Sequence, residues 1–581
     1  MSLRAWLEKQ APDFLLTGQR FPFAILFAAL TTIVVIGNIN GVEWMQDEVW
    51  GRAALGLATA AVLAVAGVYF SESRPEARIA GPILNYALPI ATIAAFQIRD
   101  ITWFVPFAIP AVAILWLSVS PFTRIERGAP REEVQNRFWW LNFQALATAV
   151  IAAAAFLIIA LGLAAIERSL AILFGLETGQ VFYKWVLPFT GLFLTPVYWL
   201  STLPRLSAYR AEELEKPDFL PRAFGFLGQF VLVPLLLIYS LILLAYTAQI
   251  VVTQRLPEGM IGWMVLGFVT IGGATWLVLH PPFMRGRALV RLFRKWWFWL
   301  TLIPLALFFI AVSIRIDAYG LTDERMLLTA GGVWAAVLAV VFLLGRGDIR
   351  LIPALAGAIL LVLSVGPWNY ANLPIAQQTM RLEALLSQPG KSGASFPPDW
   401  TPEQVAQAAS ILDYLQNSPD GGPKLTAIFA RYGMDFQPGT QTSASVLEQL
   451  GYKHPAYTVP VTYIVAQRDT LTQPVDVSAT PILLGNLTIY PPGQATVAAL
   501  FFEIADNRFR QFNQIGPEID LAAWIARQSG GPLVDPWIDF TIGDRNYRYV
   551  IDSMSADLSE DGRRTLTHLS GTLFASATPT P

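Results

Sequence analysis

Residues 139–165 read WWLNFQALATAVIAAAAFLIIALGLAA, a run without a single Asp, Glu, Lys, Arg or His. A bilayer core about 30 Å thick takes roughly 20 apolar residues at about 1.5 Å each to cross. The run therefore belongs in membrane hydrocarbon. Working outward, similar runs predict helices near 21–38, 53–70, 80–97 and 103–120 before it, and near 185–203, 225–250, 261–280, 296–313, 327–345 and 351–367 after it. That makes about eleven crossings. The third and fourth are short, carry Pro82, Pro89, Pro106 and Pro110, and read either as two full crossings or as one re-entrant pair.

Composition points the same way: the 581 residues are 54 % hydrophobic and 14 % charged, with a mean hydropathy of +0.48. Soluble chains carry about 25 % charged residues. After Pro367 the text turns to mixed polarity punctuated by Pro, Gly, Ser and Asp. The expected fold class is an α-helical polytopic membrane bundle of about 11 transmembrane helices followed by a soluble α+β C-terminal domain. The expected division is 1–20 as a cytoplasmic N-terminal segment, 21–367 as the transmembrane domain and 368–581 as an extracytoplasmic domain. Residues 1–20 are too polar, and the run after them too long, for a cleaved leader.

Within 368–581, Asn372 to Gln388 reads as an amphipathic helix, 402–417 as a helix capped by Thr401, and Ser443 to Leu450 as a shorter one. From Pro460 the period shifts to two. VTYIVAQ, PILLGNLTIY, TVAALFFEI, WIDFTIGDRNYRYVIDSM and TLTHLSGTLFA are predicted strands of a mainly antiparallel sheet, with Gly543 and Asp544 in a hairpin turn and Ile519 to Gln528 helical.

Orientation follows from Lys and Arg, which are retained in cytoplasmic loops. The N-terminal segment and the even-numbered connections hold twenty of them, the odd-numbered connections seven. The N-terminus is therefore expected in the cytoplasm, and an odd number of crossings puts the C-terminal domain on the other side. Tryptophans form both interfacial belts: Trp44, Trp50, Trp103, Trp185, Trp263 and Trp368 near outer ends, Trp139, Trp140, Trp199, Trp296 and Trp297 near inner ones.

Several chemistries are excluded or unsupported. The chain has no cysteine, which removes disulfides, thiolate nucleophiles and iron–sulfur or zinc–cysteine sites. No cofactor-binding or metal-binding signature is present. The Asp552–Asp561 stretch lacks EF-hand spacing, and His454 and His568 have no hydrolase motif around them. Residues 372–581 hold 13 Lys and Arg against 20 Asp and Glu, a balance that speaks against nucleic acid. Expected partners are the lipid bilayer and, for the C-terminal domain, an envelope protein or glycan. The eleven runs contain no charged residue, and His280 sits only at the end of the eighth. Ion-coupled carriers usually need an intramembrane charge, so proton- or sodium-coupled transport is disfavoured. Asn85-Tyr86-Ala87-Leu88-Pro89 reads as a proline-broken helix whose Asn bonds to a neighbour, with a substrate site as the lesser alternative.

Polar residues gather in three places on one predicted side. The candidates for a ligand or docking site at this outer face are Arg255 and Glu258, then Arg315, Asp317, Tyr319, Asp323, Glu324 and Arg325, and then Trp368, Asn369, Asn372 and Arg381. Arg315 and Asp317 are expected to pair, and Thr322 to cap the tenth helix. Docking of the soluble domain is the first reading of this set, a ligand or catalytic cleft the second.

Arg20-Phe-Pro22, Tyr198-Trp-Leu-Ser-Thr-Leu-Pro204, Pro234-Leu-Leu-Leu-Ile-Tyr239 with Tyr246, Leu256-Pro-Glu-Gly259, Arg315 to Arg325, and Gly366-Pro367 followed by Arg381-Leu-Glu383 occur in this order. In that pattern the sequence resembles the DUF4153 family of bacterial membrane proteins. The resemblance implies a bacterial inner-membrane location and brings no catalytic residues. Three functions stay open. The leading one is a non-enzymatic envelope anchor, scaffold or sensor presenting a periplasmic binding domain. The others are an integral-membrane transferase or hydrolase acting on a lipid-linked or cell-wall substrate, and a transporter or flippase of an uncharged or lipid-like substrate.

Overall fold

The computed structural model describes residues 15–74, 76, 79–123, 130–176, 178–253, 261–388, 397–452, 463–469, 473–511, 518–528, 531–558 and 563–577. The chain forms two compact units, Met1–His454 and Pro455–Pro581. Their division falls later than residue 368, because composition marks where a chain becomes polar, not what it packs against.

In hydrocarbon every main-chain N–H and C=O must be satisfied within its own segment, so apolar runs of this length become helices. Among the described residues six are long and apolar enough to cross a membrane: α1 (Pro22–Ile39), α2 (Glu48–Ser73), α5 (Arg131–Phe174), α7 (Phe219–Thr253), α9 (Ala288–Tyr319) and α10 (Asp323–Leu343). Four apolar helices are shorter: α3 (Ala80–Ala95), α4 (Pro106–Phe122), α8 (Gly262–Val278) and α11 (Leu351–Ser364). One more, α6 (residues 179–202), is helical with two π turns. By length and composition six of the described helices could cross a membrane, and the count of about eleven predicted from the sequence is not reached on that measure. In α3, α4 and α6 prolines or π turns shorten the helix or interrupt its regular α turns.

α2 is the centre of the N-terminal half, packed on α1, α3 and α4, while α11 lies along α4. In the other half α9 packs on α7, α8 and α10. Four polar helices complete this unit: α12 (Asn372–Leu386), α13 (Pro402–Asn417), α14 (Gly421–Arg431) and α15 (Ser443–Gln449). They share a core of Leu382, Leu412, Leu425, Phe429 and Leu447, against which Ile101 of the α3–α4 connection packs. Thr401 caps α13 in a capping box with Gln404, as expected. α14 is an addition, since Gly421-Gly-Pro423 reads as a break in sequence.

The second unit holds β1 (Tyr463–Gln467), β2 (Ile482–Ile489), β3 (Gly493–Val497), β4 (Leu500–Ala505), β5 (Arg508–Gln511), β6 (Ile519–Asp520), α16 (Ala522–Arg527), β7 (Gly531–Pro532), β8 (Trp537–Ile542), β9 (Arg545–Leu558) and β10 (Arg564–Ala575). One sheet runs β2-β10-β9-β1-β7 with β8 also on β9, the other β3-β4-β5-β6. Every pairing but β1 with β7 is antiparallel. Between them Phe502, Phe509 and Phe540 pack ring on ring, with Tyr549 beside Phe509. TVAALFFEI, predicted as one strand, is a hairpin that turns at Ala498 and Ala499, both at positive φ. Such turns favour Asn-Gly or Asp-Gly, so Ala-Ala gives no signal.

Candidate functional site

Polar side chains collect at two ends of the helical unit. At the first, Arg20 precedes α1 and reaches Glu72 at the end of α2 through Nε (2.8 Å) and Nη2 (3.1 Å). The same guanidinium donates to the carbonyls of Leu203 (2.6 Å) and Pro204 (3.0 Å), which follow α6. Tyr69 Oη also donates to Pro204 O, at 2.7 Å. One arginine thus satisfies carbonyls left open at a helix C-terminus and binds a carboxylate with two nitrogens.

Beside this clamp lies a polar cavity of about 380 Å³ lined by Gln19, Arg20, Ser71, Glu72, Asn85 and Tyr86. Residues 83–87 form a π turn within α3, and Asn85 Nδ2 donates to Ser71 Oγ at 2.8 Å. Gly67 permits this approach, since a Cβ there would stand 2.5 Å from Asn85 Oδ1 and 2.6 Å from Leu84 O. The Asn85–Pro89 segment is therefore a continuous helix with a π turn rather than a break, and its Asn is bonded to α2.

Further along this end, Asp348 is 4 % exposed and carries Arg350 and Arg131. Burial works to raise its pKa, but hydrogen bonds from the Arg350 side chain and N–H, with both guanidinium charges, outweigh that and hold the carboxyl below its ordinary value. Arg350 also donates to Phe122 O (2.8 Å) and Arg131 to Arg346 O (2.5 Å). His280, buried, lies 2.9 Å from Arg285 Nη2, and Arg285 pairs with Glu132. Burial and the charges of Arg285 and Arg294 push the imidazole down to about 3. It is neutral at pH 7.

At the second end the bonds run from side chains to main chain. α9 extends to Tyr319, where Gly320 turns the chain at φ +80°. Arg381 on α12 donates to the carbonyls of Ile316 (3.2 Å), Asp317 (3.3 Å) and Ala318 (3.2 Å). Gln378, 1 % exposed, takes those of Tyr319 and Leu321, both at 3.0 Å, and Gln377 accepts the N–H of Leu321 at 2.9 Å. The open carbonyls of the α9 terminus are thus answered by α12. Gly320 is required twice, for its φ and because a Cβ would stand 2.5 Å from Gln378 Nε2. Asn369, fully buried, donates to Ile101 O (2.7 Å), Thr102 O (3.2 Å) and Gly366 O (2.8 Å) and accepts from the N–H groups of Ala371 and Asn372. It ties the α3–α4 connection to the exit of α11, where Phe104 bridges Val365.

Of the predicted site residues, Arg381, Asn369 and Asn372 are main-chain ties, the last through Pro367 O at 2.7 Å. Arg325 donates to Gly320 O (2.6 Å) and lies over the Tyr319 ring, and Thr322 caps α10. Asp323 accepts from the Tyr414 hydroxyl of α13, whose pKa is raised by burial and by that carboxylate. Trp368, 53 % exposed, donates to Val362 O. Arg315 and Asp317 do not pair as expected. The continuing helix sets them two residues apart, where side chains do not face each other. Asp317 and Glu324 form no hydrogen bond or ion pair through their carboxylates among the described residues, and both are exposed. Arg255 and Glu258 lie outside the described residues. Sequence reading missed Gln377, Gln378, Arg20 and Asp348. Arg20 stands in one of the motifs quoted from the sequence.

The short motifs quoted from the sequence meet at these ends: Arg20 on Leu203-Pro204, and Arg381 on the Arg315–Arg325 corner. Residues 22–383 match the family described as Domain of unknown function (DUF4153). The chain belongs to the DUF4153 family. The DUF4153 region runs from α1 into α12 and ends just past Arg381. An uncharacterized protein of Pasteurella multocida (strain Pm70) is 26 % identical over 210 residues, covering 34 % of this chain and 33 % of that protein. The chain thus matches about a third of that relative's length. No solved structure matches it.

Proposed function

We propose that this DUF4153 protein is a non-enzymatic membrane platform of the bacterial inner membrane, with about eleven crossings, a cytoplasmic Arg20 end and a C-terminal region outside the cytoplasm that binds an envelope component. One observation carries the reading. At the Asn369 end the polar groups that a catalytic cleft would use are bonded to main-chain carbonyls and hold α12 to the apolar helices. The number of crossings is supported by helix polarity, since α2, α4, α10 and α11 each have one terminus in the Arg20 cluster and one in the Asn369 cluster. The orientation rests on twenty Lys and Arg in the N-terminal segment and even-numbered connections of the sequence against seven in the odd-numbered ones.

The test uses the two exposed carboxylates. Asp317→Asn with Glu324→Gln leaves every tie described above intact, so this variant should accumulate normally and restore the envelope integrity of a deletion strain. Asn369→Ala should fail through loss of the protein. Normal accumulation of the Asp317→Asn/Glu324→Gln variant without rescue would favour the transferase or hydrolase instead.

A further inference from the structure

Three of the short helices, α3, α4 and α11, enclose with α2 a cavity of about 490 Å³. Its wall is almost wholly hydrocarbon, including Leu63, Leu88, Ala113, Gly357 and Leu361. Leu361 is 45 % exposed, so the cavity opens sideways onto the apolar surface of the bundle. Helices of at most about 17 residues reach roughly 26 Å, less than the core of about 30 Å. A bilayer beside them must thin, or a lipid must settle in with its headgroup drawn inward.

The cavity has one polar end. Thr123 lines it and accepts a 2.9 Å hydrogen bond from Arg74 Nη2, while Arg74 Nε is buried with no partner among the described residues. Two turns back along α4, Trp116 also lines the cavity, and its Nε1 is buried without a partner among the described residues. The far end closes where Phe104 bridges Val365. A guanidinium beside Thr123, an indole N–H two turns on and hydrocarbon beyond match in order the phosphate, ester and acyl chain of a glycerophospholipid, while Thr92, also in the wall, spends its hydroxyl on Leu88 O. Guanidinium suits phosphate by charge and by its fork of donors, and an indole N–H in apolar surroundings calls for a carbonyl.

We propose that this cavity binds one glycerophospholipid, with its phosphate at Arg74 and Thr123, an ester carbonyl at Trp116 Nε1 and an acyl chain along Leu88 and Gly357. The site does not depend on the platform reading above.

Delipidated full-length protein in mild detergent, followed by native mass spectrometry with added palmitoyl-oleoyl phosphatidylglycerol or the matching diacylglycerol, tests this. One phosphatidylglycerol should be retained, at least tenfold more tightly than the diacylglycerol. Arg74→Gln should erase that preference and Arg74→Lys should keep part of it. Ala358→Trp, which fills the open side of the cavity, should abolish the adduct with an unchanged melting temperature. Several equivalent adducts, the same in wild type and all three variants, would mean surrounding bilayer lipid only and overturn the site. So would a dimer that Ala358→Trp dissociates, because the occupant would then be a second copy of the chain.

Discussion

The two ends of the helical unit are held by different chemistry. At the Arg20 end charge meets charge: Arg20 with Glu72, Arg350 and Arg131 with Asp348, Arg285 with Glu132. At the Asn369 end, side-chain amides and the guanidinium groups of Arg381 and Arg325 meet main-chain carbonyls. The first kind of bond weakens with salt and with acid; the second hardly feels either. An end rich in ion pairs suits a face where basic residues are retained. An end built of neutral ties suits a fixed joint.

The largest effect is expected where the ties are most buried. Asn369→Ala leaves the carbonyls of Ile101 and Thr102 and the N–H groups of Ala371 and Asn372 without this partner, while Gly366 O keeps the main-chain N–H of residue 369; roughly 3–5 kcal/mol of stability should be lost, each stranded buried group costing about 1–3 kcal/mol with some recovery. Unfolding in mixed micelles measures it, and a loss below about 1 kcal/mol would show that the joint does not depend on Asn369. Next comes Asp348→Asn, expected to cost about 2–3 kcal/mol, under the 3–5 of a fully buried pair because Arg131 is half exposed. Its carboxyl is held below the ordinary value of 3.8. The stability it contributes is therefore complete above that value and lost as pH falls through the lower, folded-state one. Wild type should therefore exceed Asp348→Asn by a constant margin at higher pH and lose that margin as pH falls through this window, and a margin that acid leaves unchanged would sink the assignment.

Arg381→Ala should cost about 1–2 kcal/mol through three weakened carbonyl caps, with Arg381→Lys recovering part and salt having little influence. A strong salt dependence would move the joint into the ion-pair class. Smallest is Arg431→Ala, which removes an exposed pair with Glu383. A change within about 0.5 kcal/mol is expected.

The sequence made the helices legible because hydrocarbon leaves a chain so few options. It showed less of their ends. α9 runs six residues past the apolar run because Arg381 and Gln378, some sixty residues on, answer its last carbonyls. No local pattern records that. The expected pairing of Arg315 with Asp317 failed for the same reason, since the pair was read as loop. Thr322 and Thr401 caps were readable, being local. The turns at Ala498 and at Asp506-Asn507 differ in this respect: both have positive φ, and only the second uses residues that favour it.

The most direct test of the platform is which side its two ends face. The chain has no cysteine, so single cysteines can be placed without background. With Thr440→Cys, in the exposed link between α14 and α15, and Glu212→Cys, in the exposed link between α6 and α7, a membrane-impermeant maleimide is added to intact spheroplasts and then to lysed ones. Labelling of Thr440→Cys in both and of Glu212→Cys only after lysis is the expected result; the reverse order, or both positions on one side, would contradict it.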